Sequence, residues 1–376
     1  MLRRTVATRT TVGPLIALLA ALPADVHAVA PAYELNDSHF HLTNYVQEGT
    51  DIHRFLEIMG NRVGRVALFG IPLQQTWSYA NSGDFAPTYY LQSDAPLYYY
   101  SFTDAFIATA YLSLSPEQRE RFDPMITGFN PADMYAVDHI KRVLRTFPGV
   151  FSGIGEFSIH KEFVSAKIAG ETASLGNPAL DRVLDFAGEA GLVVILHNDI
   201  DMPFAKQGAR PVYLQQMKDL LRRHPRTTII WAHMGLGRVV HPVQGSASAP
   251  AAERDPGQMA TLVGEIVDDP GFSHVYFDIS WDEVAKYVIA DPAITAKAAS
   301  FLNEYPTRFL FGTDEVAPQD SQQYLKVYVM YDPLWKLLKP QVRDQVRKLN
   351  YERLFDAARI RVRAWEKSHA VAHPEK

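Results

Sequence analysis

The chain has 376 residues, 47% hydrophobic and 21% charged, which is the balance of an ordinary folded protein. Its formal net charge of −5 gives no electrostatic case for nucleic acid as a partner. It contains no cysteine, which excludes disulfides, thiolate metal ligands and a cysteine nucleophile.

In chain order, residues 1–28 read as a leader rather than as part of the fold. Arg3, Arg4 and Arg9 form a basic start, Gly13 to Leu22 a short apolar core, and Val26-His27-Ala28 a small-residue cleavage signal. The apolar core is short for a bilayer span. The expectation is a cleaved signal peptide, a periplasmic or secreted product and a single domain over residues 29–376. The Arg3-Arg4 pair leaves twin-arginine export open beside the general route.

The rest alternates between strand and helix patterns. Strands are predicted at 33–39, 64–70, 123–129, 150–156, 192–197, 227–232, 274–279 and 308–312, as short apolar runs rich in β-branched residues. Between Asp133 and Phe147, Met134, Val137, Ile140, Val143 and Leu144 recur at helical spacing. Asn177-Pro178 carries the cap and first residue of another helix, and Gly191 stops it. Met217, Leu220 and Leu221 mark a helix before strand six. Eight strands alternating with helices predict an α/β fold, a (β/α)8 TIM barrel, with loop insertions after strands 2, 4 and 6. Two stretches fit neither pattern: residues 74–102, rich in aromatics, and the small polar residues 243–258. One or two of those aromatics are expected to touch a substrate, the others to pack on the barrel.

Six acid and imidazole side chains fall at or near strand ends: His39, His41, Glu156, His197, His233 and Asp314. In a barrel that is the face where chemistry is done. His39 and His41, two apart on a strand, point to one side and can grip one divalent ion. Glu156 reads equally as a metal ligand or as a salt-bridged strand-end acid. Lys161 reads as a loop lysine. Asp278, Ser280 and Trp281 follow strand seven and are expected around the ligands. Lys161, Lys206 and Arg210 are available for a substrate carboxylate, though solvated loop charge is the plainer reading. There is no Gly-x-Ser-x-Gly elbow and no phosphate-binding glycine motif after a strand.

The ordered set Asp37-Ser-His-Phe-His41, Ile195-Leu-His197-Asn, Trp231-Ala-His233-Met-Gly235 and Arg308-Phe-Leu-Phe-Gly-Thr-Asp314 resembles the amidohydrolase superfamily, within it the amidohydrolase-related metal-dependent barrels, over roughly residues 33–357. The ending Lys348-Leu-Asn350-Tyr-Glu-Arg353-Leu-Phe355 is similar to that family's closing helix. The resemblance implies His39, His41 and His197 as metal ligands. It makes Asp314 a ligand or the acceptor of the attacking water's proton, and has His233 polarise the substrate carbonyl or bind a second metal. Glu156, in Gly153-Ile-Gly155-Glu156, makes a two-metal centre an open alternative. Zinc is the expected ion, with manganese or iron also suited to these donors. The implied activity is hydrolysis of an amide, lactone or ester by activated water. The alternatives are non-oxidative decarboxylation of aromatic acids and a two-metal phosphodiesterase. The expected partner is a small-molecule substrate, with no membrane span after leader removal; oligomeric state stays open.

Overall fold

The eight expected strands all form, and every pairing among them is parallel: β1 Leu35–Thr43, β2 Val63–Gly70, β3 Phe122–Ile126, β4 Gly153–Ser158, β5 Val193–His197, β6 Ile229–Trp231, β7 Val275–Asp278 and β8 Phe309–Leu310. A ninth, β9 Glu315–Val316, pairs with β1. The computed structural model describes residues 33–73, 76–77, 91–92, 99–161, 174–201, 210–237 and 257–369. The leader, most of the aromatic stretch, Lys206 and nearly all of residues 243–258 lie outside the described residues.

The sheet runs in the order β8-β7-β6-β5-β4-β3-β2-β1-β9. Its two ends are neighbours in sequence, since β8 and β9 belong to one segment. That segment bridges the gap to β1, where Ser38 N–H donates to Phe311 O at 3.0 Å and Asp314 N–H to His39 O at 2.7 Å. The sheet therefore closes into a barrel. Helices follow the strands: α1 Ile52–Met59, α2 Phe102–Leu112, α3 Ala136–Thr146, α4 Pro178–Ala190, α5 Val212–Arg223, α6 Gly257–Val267, α7 Pro292–Glu304 and α8 Asn350–Ser368. Among the described residues no helix is long and apolar enough to cross a membrane.

Local chemistry accounts for the helix ends. The Asn177 side chain accepts from Ala179 N–H at the start of α4, and Gly191 ends it in the left-handed conformation at φ 81°. The helix expected from Asp133 starts three residues later. Asp133 is used in a turn, its carboxylate accepting from Tyr135 N–H at 2.9 Å.

Two apolar layers fill the molecule. Outside the sheet, strand side chains meet the helices; Phe40 stacks on Phe55 at 4.0 Å, for example. Inside, Phe69, Met125, Val193, Ile195 and Leu310 pack against Tyr351, Leu354 and Phe355 of α8. The closing helix thus plugs the barrel at the strands' N-terminal ends. A fully buried carboxylate fastens the plug. Asp123 accepts from Arg65 Nη2 at 2.9 Å, Arg359 Nε at 2.6 Å and Tyr351 OH at 2.7 Å. With α8 packed at that end, the interior polar groups lie toward the C-terminal face.

Candidate metal centre

β1 extends past its expected end to Thr43, so His39 and His41 lie inside the strand, both buried. A bulge sets four residues of β1, Asp37 to Phe40, against three of β2, Val66 to Leu68. Phe40 then faces the helix layer while both imidazoles flank the inward Phe69, at ring separations of 5.3 and 4.7 Å. Asp37 accepts from Thr313 N–H at 2.9 Å, Thr313 Oγ1 at 2.6 Å and Tyr324 OH at 2.9 Å. It holds the turn that sets Asp314 at φ 54°. Burial pushes the Asp37 carboxyl up to about 6, against these hydrogen bonds.

β4 likewise runs on to Ser158 and places Glu156 within the strand. Gly155 before it has φ 110°, and a Cβ there would press into the Ile195 carbonyl on the neighbouring strand. Gly155→Ala is expected to lower stability by more than about 2 kcal/mol, read as a fall in urea midpoint. An unchanged midpoint would show that β4 and β5 can separate freely here. His233 follows β6 in a left-handed turn, His233, Met234 and Gly235 having φ 57°, 53° and 74°.

The glutamate divides the site. Its Oε2 faces the β1 pair, 3.7 Å from His39 Nε2 and 3.6 Å from His41 Nε2. Its Oε1 faces the other side, 2.7 Å from His197 Nδ1, 3.7 Å from His233 Nε2 and 3.5 Å from Lys161 Nζ. Asp314 Oδ1 lies 3.1 Å from His41 Nε2 and 3.3 Å from His39 Nε2. Among the described residues two donor clusters result, His39/His41/Asp314 and His39/Glu156/His233, the donor atoms of each within 4.8 Å of one another. His197 is in the site but in neither cluster. Its Nδ1 meets Glu156 and its Nε2 meets Asp199 Oδ1 at 2.9 Å. Lys161, expected as a loop lysine, reaches in against Glu156. Arg210 stays outside, paired with Glu265 at 2.9 Å.

Asp278 decides which imidazole nitrogens are bare. Its Oδ2 accepts from His39 Nδ1–H at 3.0 Å, so that in the neutral ring Nε2 carries the lone pair. Its Oδ1 accepts from the Ser280 hydroxyl and from His233 N–H at 2.8 Å. Ser280 Oγ, with its proton given to Asp278, accepts from His233 Nδ1–H at 2.8 Å. The Nε2 of neutral His233 is therefore also a lone pair, and it cannot donate to a carbonyl until protonated. His39 Nε2, His41 Nδ1 and His233 Nε2 are all buried with no hydrogen-bond partner. Buried bare nitrogens facing carboxylates, as His39 Nε2 and His233 Nε2 do, are the pattern of a divalent-cation site. Asp278→Asn is expected to weaken cation affinity about 10- to 100-fold by releasing His39, measured by competition against a chelating dye. Unchanged affinity would remove Asp278 from this role.

The charges follow the same plan. Burial draws His39 down, but Asp278 and Asp314 outweigh it and the net shift is well upward. In His197, burial and Lys161 are outweighed by Asp199 and Glu156. Burial lowers His233. Burial raises Glu156, but Lys161 and the imidazoles hold it well below the carboxylate range. Asp314 is lowered too, His39 and His41 overcoming its burial. The carboxylates are thus ionised and ready to face a cation.

Asp278, Ser280 and Trp281 surround His233 as expected, with the Trp281 ring centred 5.1 Å away. Asp199 was legible only as an acid two residues beyond His197. Tyr99 is the described aromatic of the insertion with a buried hydroxyl lacking a partner. It bridges to Leu73 just past β2, and burial with the Glu156 charge raises its pKa. Nothing in its sequence setting separates it from its aromatic neighbours.

No curated protein matches the chain. Among solved structures it is similar to an uncharacterised TIM-barrel protein from Bordetella bronchiseptica (13% identity, 86% of this chain and 99% of that one, TM-score 0.49). It is also similar to a putative 2-pyrone-4,6-dicarboxylic acid hydrolase from Pseudomonas putida (13%, 86% and 98%, TM-score 0.48). A third is a zinc-bound amidohydrolase from Burkholderia multivorans (12%, 86% and 99%, TM-score 0.49). The family model described as amidohydrolase (Amidohydro_2) matches residues 37–357, a span that takes in all eight strands but the first two residues of β1 and every donor of both clusters. The chain belongs to the amidohydrolase family.

Proposed function

We propose that this protein is a metal-dependent hydrolase that adds water to the carbonyl of an amide, lactone or ester. The observation that carries this reading is the meeting of bare buried His39 and His233 nitrogens with the ionised Asp314 and Glu156 toward the C-terminal face of the plugged barrel. His39, His41 and Asp314 would hold the cation, with Glu156 Oε2 on the same side. A bound zinc, manganese or iron ion supplies Lewis acidity and lowers the pKa of water.

The remaining chemistry belongs to the chain. Asp314 accepts a proton from the attacking water and returns it to the leaving nitrogen or oxygen as the carbonyl carbon's bond to that atom breaks. Asp37 and Thr313 keep its backbone in place. His233 presents its Nε2 lone pair, so it accepts a proton first and stabilises the oxyanion only as the imidazolium. The Tyr99 hydroxyl, without a partner among the described residues, is available to orient substrate. His197 steadies Glu156.

The test is a substrate panel run before and after chelation. Turnover of lactones, amides or esters should disappear on chelation and return with zinc, manganese or iron. Full turnover in metal-free protein sinks the reading, and carbon dioxide released from a hydroxybenzoate would make the enzyme a decarboxylase instead. We also propose export by the leader. The mature protein recovered from outside the cytoplasm should begin just after Ala28; retention of Met1 would refute it.

A further inference from the structure

We propose that the Lys161 ammonium takes the cation position on the far side of Glu156, so that this centre holds one divalent ion rather than two. The inference rests on the metal-dependent reading above. Its starting point is the split of Glu156, whose two oxygens face different groups, as the carboxylate of a two-ion centre would. Oε2 faces His39 and His41, at 3.7 and 3.6 Å. Oε1 faces His197, His233 and Lys161, at 2.7, 3.7 and 3.5 Å. A positive charge therefore already stands on the side where a second ion would be bridged. The Lys161 side chain is only 11% exposed, so its attraction to Glu156 is weakly screened.

The donor count agrees. Both clusters need His39, and Asp278 occupies its Nδ1, which leaves one lone pair on Nε2. One imidazole lone pair serves one cation, so the clusters cannot both be filled. A second ion would have to draw on His197, whose nitrogens are engaged by Glu156 and Asp199. Among the described residues, His233 Nε2 is the one nitrogen left bare on that side. Without Lys161, His197 can turn from those carboxylates to an ion and make up, with His233 and Glu156, the three protein ligands usual for a catalytic zinc, so it is the Lys161 charge that keeps a second ion out. An ammonium needs no such ligand shell, and it neutralises the Glu156 charge that a second ion would have met.

The experiment is a metal count on the intact protein, equilibrated with excess zinc and desalted, with circular dichroism to confirm folding. Wild type should retain one ion per chain. Lys161→Met and Lys161→Gln, which remove the charge in two different shapes, should gain a second. Lys161→Arg, which keeps the charge, should remain at one. Two ions in wild type would overturn the proposal whatever the variants do, and so would folded Lys161→Met and Lys161→Gln proteins that stay at one. Folded wild type that retains no ion would instead overturn the metal-dependent reading itself, and the two failures are told apart by that count.

Discussion

Asp314→Asn is expected to lower kcat by about 10²- to 10⁴-fold with a much smaller change in KM. The amide keeps the size of the side chain but removes the charge and the basic oxygen. In the structure that oxygen lies 3.1 Å from His41 Nε2 and 3.3 Å from His39 Nε2. The two imidazoles hold the carboxylate ionised despite its burial. The variant should therefore lose both a proton acceptor and part of the cation's charge compensation. Paired kinetics and metal counts separate the two effects. If kcat falls and the metal is retained, proton transfer dominates; if both fall together, ligation dominates. Wild-type kcat in the variant would end the catalytic role proposed for Asp314.

Asp123→Ala is expected to destabilise the fold by about 3–5 kcal/mol, the usual result of stripping one partner from a buried charge cluster. Asp123 is fully buried and receives Arg65, Arg359 and Tyr351 together. Its loss leaves two guanidinium groups facing each other at the plugged end, and Tyr351 OH without an acceptor. Urea denaturation should show a lower midpoint with an unchanged slope. The first segment to open should be α8, giving faster amide exchange over residues 350–368. A loss below about 1 kcal/mol would mean that apolar packing by Leu354 and Phe355 holds the plug alone.

Much of this architecture was legible because buried parallel strands leave a plain mark. Val193 to Leu196 lies inside both apolar layers, so every residue is apolar and the run ends where the chain turns outward. Asn177 and Gly191 bounded α4 for reasons confined to a few residues. The ends of β1 and β4 were misread because His39 and Glu156 look like strand terminators. They lie within strands because the barrel interior at that level is polar rather than apolar. The roles of Asp199 and Lys161 were not legible. Each depends on a group brought near by folding, and neither sits in a pattern that periodicity detects.

The sequence by itself determined the alternation of strand and helix, the barrel class and the candidate donors, because burial and capping act over a few neighbouring residues. Tertiary structure alone decided which nitrogens are bare, which oxygen of Glu156 faces which imidazole, and where the Lys161 charge comes to rest. Those outcomes depend on distances of about 3 Å between residues as far apart as His39 and Asp278. Only closure of the sheet, between β1 and the segment from β8 to β9, sets such distances.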